Sequence, residues 1–163
     1  MKLDRRDAYL LLGTNLGNRA HNLTAAISYI EKEVGVVFAQ SGVYETAAWG
    51  KTDQPNFLNQ AIAVKSTLSP MELLQTLLGI EQKMGRVRLE RWGQRLIDID
   101  LIFYADLVLD SQALQLPHPE MHKRRFVLEP LNEIAENFIH PIFGEKVSAI
   151  LANLTDKLTV QKI

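Results

Sequence analysis

Leu96-Ile97-Asp98-Ile99-Asp100-Leu101-Ile102-Phe103 is the stretch on which the fold turns. Its isoleucines and phenylalanine mark a strand over residues 97–104, because such side chains fit a pleated, buried surface. That strand closes an ordered series. Just upstream, residues 86–96 lack an apolar period and read as a loop. Before the loop, Ser69-Pro70-Met71-Glu72 gives the sharpest local signal in the chain: a serine N-cap, a proline at the first helical position and a glutamate that completes a capping box. Leu73, Leu77, Ile80 and Met84 follow as one buried stripe, and Gly85 closes the helix. Further back, residues 58–68 alternate, with Leu58, Ile62 and Val64 on one face. Residues 36–45 form another strand, and the polar segment 47–56, with Gly50 and Pro55, connects the two. Leu23, Ile27, Ile30 and Val34 fall at helical spacing over residues 21–34, with Gly35 as the stop. Ala8 to Leu12 is a short apolar strand that runs into the turn-rich Gly13-Thr14-Asn15-Leu16-Gly17-Asn18.

The resulting order is β-α-β-β-α-β. This is the split βαβ arrangement of an α+β, ferredoxin-like domain: an antiparallel sheet with helices packed on it. Beyond it, residues 105–116 read as a hairpin-type excursion turning near Asp110-Ser111. Residues 118–138 read as partly helical with a break near Pro130, and residues 145–154 as a further helix, so the sheet carries a C-terminal helical extension.

The composition narrows the function classes. The chain has 163 residues, 47% of them hydrophobic and 23% charged, enough for one domain, 1–163, with a core of its own. It has no cysteine, which excludes a disulfide framework, a thiolate metal site and a cysteine nucleophile. The net charge is −1, a poor match to bulk nucleic-acid or anionic-membrane binding. No apolar run is long enough to span a bilayer, and Met1-Lys2-Leu3-Asp4-Arg5-Arg6-Asp7 leads into no signal or transit peptide, so the expected location is the cytoplasm.

Chemistry concentrates on Asp98 and Asp100. Two apart on a strand, they project from the same face. A bare Asp-x-Asp on a half-exposed sheet is commonly a pair of solvated carboxylates. Facing one way beside a buried strand, however, two such groups need a cation, or one must take up a proton. Hard oxygen ligands suit Mg²⁺, which fills its shell from phosphate and water, and two such ions could clamp a phosphoryl group. The preceding segment supports this reading: Arg86, Arg88, Arg91 and Arg95 stand there against the single acid Glu90. Arginine suits bidentate phosphate contact. A second basic cluster follows at His118, His122, Lys123, Arg124 and Arg125. His118-Pro119-Glu120-Met121-His122 does not have the spacing of a helical zinc-protease motif and lacks a third ligand, so His118 and Arg124 read better as phosphate contacts. There is no P-loop and no dinucleotide Gly-x-Gly-x-x-Gly turn, and Gly13 and Gly17 by themselves mark only a turn. Trp49, Phe57, Trp92 and Phe126 lie in or beside loops; they are core residues or the walls of a slot for a flat heterocycle.

Arg91-Trp92-Gly93-Gln94-Arg95-Leu96-Ile97-Asp98-Ile99-Asp100-Leu101-Ile102 resembles the signature of the 6-hydroxymethyl-7,8-dihydropterin pyrophosphokinases of folate biosynthesis. The likeness continues through Gly13-Thr14-Asn15-Leu16-Gly17, Tyr44-Glu45-Thr46, Asp53-Gln54-Pro55, Phe57-Leu58-Asn59, Glu81, Gly85-Arg86-Val87-Arg88, and Pro117-His118 to Arg124 and Phe126. The resemblance implies a cytoplasmic, monomeric enzyme that moves pyrophosphate from ATP to the hydroxymethyl group of the dihydropterin and releases AMP. It implies that Asp98 and Asp100 hold two Mg²⁺ ions. Arg86, Arg88, Arg95, His118 and Arg124 would face ATP, with Glu81 near the nucleotide, and Arg86 and Arg95 would join the aspartates as catalytic groups. Thr46, Asn59 and Asp98 would meet the pterin edge, Phe57 and Phe126 would sandwich the ring, Trp92 would close over it, and Trp49 would be a further pterin-binding residue. The loops around Trp49 and Arg86 are expected to close on the two substrates.

Five positions depart from the family pattern: Gln94 stands where a proline is common, Ala47-Ala48 replace the proline usual before Trp49-Gly50, and Leu78 and Ala113 stand where some relatives have polar nucleotide contacts. Two other classes share parts of the pattern. A single-stranded RNA binder on this fold would need sheet aromatics, which are not evident. A nucleotidyl cyclase or polymerase-like palm also uses strand carboxylates but lacks the pterin-slot residues.

Overall fold

The computed structural model describes residues 4–47, 55–85 and 96–163. The chain runs β1 (Arg6–Thr14), α1 (Arg19–Glu33), β2 (Gly35–Gln40), β3 (Tyr44–Thr46), β4 (Phe57–Ser66), α2 (Pro70–Lys83) and β5 (Asp98–Tyr104). It continues through β6 (Leu109–Asp110), β7 (Gln115–Leu116), a short 3₁₀ turn (Met121–Lys123), α3 (Arg125–Ala135), α4 (Val147–Ala152) and β8 (Val160–Lys162). The main sheet has the order β5-β1-β4-β3-β8, with β2 also on β4, and every pairing is antiparallel. This is the β-α-β-β-α-β domain expected from the sequence. The Ser69–Glu72 capping box forms as read, with Ser69 N–H donating to Glu72 Oε1 at 3.0 Å and Glu72 N–H to Ser69 Oγ at 3.2 Å. Gly85 adopts φ +87° just past α2, the left-handed geometry that suits a helix stop.

Both faces of the sheet are covered. Ala8, Leu10, Leu12, Leu58, Ile62 and Val64 pack under α1 and α2 with Leu23, Ile30, Leu73, Leu77 and Ile80. On the other face, Tyr9, Leu11, Ala61, Ala63 and Phe103 meet Val127, Leu128, Leu131, Val147 and Ile150 of α3 and α4. Strands buried on both faces read as continuous apolar runs, which is why β1 shows no alternation. The C-terminal extension is therefore the second cover of the sheet.

Four local expectations are corrected. The strand read over residues 36–45 is two strands, β2 and β3, broken at Ser41-Gly42-Val43. Ser41 Oγ donates to the Gly42 carbonyl at 2.7 Å and accepts the Ala61 N–H at 2.9 Å, so a side chain replaces part of the ladder at the jog. Gly35 opens β2 instead of only stopping α1. Pro130 does not break α3. It removes one backbone donor, but Val127, Leu128, Leu131 and Ala135 bury around it and packing carries the helix through. Finally, β8 pairs with β3, a strand the sequence pattern does not reveal. Glu133 of α3 secures that corner, accepting from the Tyr44 hydroxyl, from Gly42 N–H at 2.8 Å and from Lys162 Nζ at 3.2 Å.

His140 gives the second core a pH limit. It is 2% exposed, and its Nδ1 accepts the N–H groups of Ile142 and Phe143 at 3.2 and 3.1 Å. Burial first, and the His122 charge second, push its pKa down from 6.5 to about 4. The unfolded chain takes up the proton near pH 6.5 and the folded one only near 4, so this contribution is complete above pH 6.5 and is lost as the pH falls towards 4. Urea midpoints at pH 7.5 and 4.5 should differ by the equivalent of about 2–3 kcal/mol more in the wild type than in His140→Gln. Equal pH slopes in the two proteins would contradict the assignment.

Candidate active site

A cleft of about 700 Å³ opens at one end of the sheet, on the face that α3 covers. Strand register builds its floor. Gly13 of β1 lies opposite Asp98 of β5 on one side and Asn59 of β4 on the other. Leu11 lies opposite Asp100. Facing pairs in an antiparallel sheet share a face, so Asp98, Gly13 and Asn59 form one row across the floor with Asp100 and Leu11 in the next. Both carboxylates line the cleft, Asp98 half-buried and Asp100 exposed.

Gly13 makes the row possible. A Cβ there would lie 3.1 Å from Asn59 Oδ1 and 3.9 Å from the Phe57 ring. The Asn59 amide donates to Thr46 Oγ1 at 3.1 Å, and both residues are buried, 3% and 4% exposed. This pair presents a fixed polar edge to the cleft. Gly13→Ala should press on that edge, raising KM for the acceptor substrate by about tenfold while shifting the melting temperature little. Steady-state kinetics with each substrate varied in turn would test this; an unchanged acceptor KM would refute it.

The walls come from three places. Thr46, Ala47 and Phe57 flank the ends of segment 48–54, whose borders are tied down by Asn15 Nδ2 to the Pro55 carbonyl at 3.2 Å and by Arg19 Nη1 to the Asn56 carbonyl at 2.8 Å. Lys123, Arg124 and Phe126 stand at the entrance to α3, with the Arg124 guanidinium 5.7 Å from the Phe126 ring centroid. Asp156 and Leu158 complete the lining.

The cleft thus brings together Thr46, Phe57, Asn59, Asp98, Asp100, Arg124 and Phe126, seven of the residues singled out from the sequence. Arg86, Arg88, Trp92, Arg95 and Trp49 lie outside the described residues, and so do the two loops expected to close. Glu81 and His118 do not line the cleft. Glu81 is 3% exposed, and its Oε2 accepts the Ile99 N–H at 2.7 Å, so it fixes the backbone between the two aspartates from behind. His118 hangs from β5 through its N–H to the Ile102 carbonyl at 3.0 Å. Burial, and after it the Arg124 charge, lower its pKa, with Glu120 opposing. It is therefore neutral. Its Nδ1 accepts the Glu120 N–H at 3.2 Å, which leaves the ring proton on Nε2 as a donor.

Sequence reasoning missed Leu11, Ala47, Asp156 and Leu158, and it gave Gly13 only a turn. No spacing signal marks Asp156 or Leu158, because tertiary contacts alone bring residues 155–158 to the cleft. As a donor set, the two aspartates fit a hard divalent ion. Among the described residues no group of three metal-binding side chains exists, so substrate oxygens and water would have to complete the shell.

A family model described as 7,8-dihydro-6-hydroxymethylpterin-pyrophosphokinase matches residues 9–136. The chain belongs to this pyrophosphokinase family. The 2-amino-4-hydroxy-6-hydroxymethyldihydropteridine pyrophosphokinase of Methylorubrum extorquens is 45% identical over 148 residues, covering 90% of this chain and 92% of that one. The protein of the same name from Synechocystis is 44% identical over 141 residues, 86% of this chain and 72% of its own. Among solved structures, wild-type Plasmodium falciparum HPPK-DHPS superposes with a TM-score of 0.73 at 17% identity, a likeness of fold. It covers 93% of this chain, which spans 42% of the Plasmodium chain. Family membership makes this chain a pyrophosphokinase.

Proposed function

We propose that this chain transfers the pyrophosphoryl group of ATP to the hydroxymethyl oxygen of 6-hydroxymethyl-7,8-dihydropterin, releasing AMP, as one domain and as a cytoplasmic monomer. The observation that carries the reading is the meeting in one cleft of Asp98 and Asp100 with the Thr46–Asn59 polar edge and the Phe57 and Phe126 rings. Thr46 and Asn59 hydrogen-bond the pterin edge, and the two rings hold its faces. Asp98, the more buried carboxylate, orients the attacking hydroxyl. The hydroxymethyl oxygen forms a bond to the β-phosphorus as the bond from that phosphorus to the α-phosphate oxygen breaks; AMP leaves with that oxygen, and the hydroxyl proton passes to solvent water. Arg124 meets the phosphates together with Arg86, Arg88 and Arg95. Asp98 and Asp100 would hold two Mg²⁺ ions, which when bound offset phosphate charge and orient the triphosphate. Glu81 contributes by fixing β5.

The test is direct. With ATP, Mg²⁺ and the hydroxymethyl dihydropterin, the protein should form AMP and the dihydropterin diphosphate in equal amounts. ADP as the nucleotide product, or AMP formation independent of the pterin, would overturn the reading. Activity unaffected by a divalent-ion chelator would overturn the metal assignment.

A further inference from the structure

We infer that the segment after α4 completes the acceptor site, with Leu158 contacting the bound pterin and Asp156 acting as a positioning residue. This rests on the pterin reading above and adds a wall to it. The segment lies beyond the residues that the family model matches. It crosses the cleft from one substrate wall to the other. At one end Asp156 holds the entrance of α3: its Oδ2 accepts the Arg125 N–H at 2.9 Å, and its carbonyl accepts Arg125 Nε at 3.2 Å. Arg125 lies between Arg124 and Phe126, both in the lining. Asp156 Oδ1 accepts the Leu158 N–H at 2.9 Å. One carboxylate thus fixes the backbone beside Phe126 and the backbone of Leu158 together. At the other end β8 pairs with β3, where Val160 lies opposite Thr46, the partner of Asn59.

The chemistry suits the position. Leu158 is a half-buried apolar side chain in a cleft whose apolar lining also includes Leu11, Ala47 and the Phe57 and Phe126 rings. A flat bicycle between those rings leaves an edge that an aliphatic group can cover, excluding water. Residues that hold one wall relative to another set substrate fit more than chemical rate.

The experiment is calorimetric titration with 6-hydroxymethyl-7,8-dihydropterin in the presence of Mg²⁺ and a non-transferable ATP analogue, with the analogue titrated separately. Leu158→Ala should weaken pterin binding by about tenfold and leave analogue binding within about twofold. Leu158→Ile should restore most of the loss. Asp156→Asn, which keeps only one of the two carboxylate acceptors, should raise KM for the pterin with kcat retained. Thermal melts of each variant identify any that fail to fold, and the Ile and Asn variants then decide. Wild-type pterin binding with an unchanged Leu158→Ala overturns the inference and leaves the functional reading standing. Equal weakening of both ligands overturns it too, as a merely structural effect. Failure of the wild type to bind pterin overturns the functional reading itself.

Discussion

Asp100→Ala should lower kcat by about three orders of magnitude at saturating Mg²⁺, the equivalent of roughly 4 kcal/mol of transition-state stabilisation. The protein should remain folded, because Asp100 is exposed and its strand neighbours Ile99 and Leu101 keep their places in the core. Stability and activity therefore separate at this position. Asp98→Ala should lose at least as much, since Asp98 also faces the hydroxyl in the reading above and is the more buried of the two. Single-turnover kinetics with both substrates saturating would measure the chemical step apart from binding. A rate within tenfold of wild type for either variant would remove that carboxylate from the machinery. Excess Mg²⁺ distinguishes weakened ion affinity, which it would rescue, from lost positioning, which it would not.

Gly35→Ala should produce the largest loss of stability of any conservative substitution in the sheet. A Cβ at this position would fall 1.9 Å from the Lys65 carbonyl oxygen and 2.9 Å from its carbon. Both are backbone atoms of β4, the strand that carries β1 on one side and β2 and β3 on the other. No side chain can swing away to make room. The neighbourhood is also locked, because Ser66 Oγ donates to the Val34 carbonyl at 2.8 Å and accepts the Leu68 N–H at 3.1 Å. The start of β2 must move off β4 and take the end of α1 with it. The expected cost is about 3 kcal/mol or more, seen as a fall in melting temperature of about 6–12 °C. A melting temperature within a degree or two of wild type would show that the α1–β2 corner yields more easily than its hydrogen bonds indicate.

The element order was legible because local signals and global pattern agree. The capping box at Ser69, the Leu73–Leu77–Ile80 stripe and the apolar Ile99–Phe103 run each announce their own structure. What stayed hidden depends on partners distant in the chain. The break at Ser41 exists because a hydroxyl bonds to Ala61 across the sheet, and β8 exists because β3 offers it an edge. Pro130 misleads for the same reason, since its helix is held by packing and not by propensity. In the site, Asp98 and Asp100 stood out as charges on an apolar strand, which sequence shows well. Gly13 did not, because its contribution is an absent side chain and only the register opposite Asn59 gives that absence a purpose.

The placement of α3 links rigidity to turnover. Its N-cap Arg124 and its first-turn residue Phe126 line the cleft, and the residues that follow, Val127, Leu128 and Leu131, belong to the second core. Slight loosening of that interior will tilt the cleft-lining end before the sheet itself melts. Heating or mild denaturant should thus silence the enzyme ahead of global unfolding, and inactivation will serve as an early gauge of how firmly the lower layer is seated.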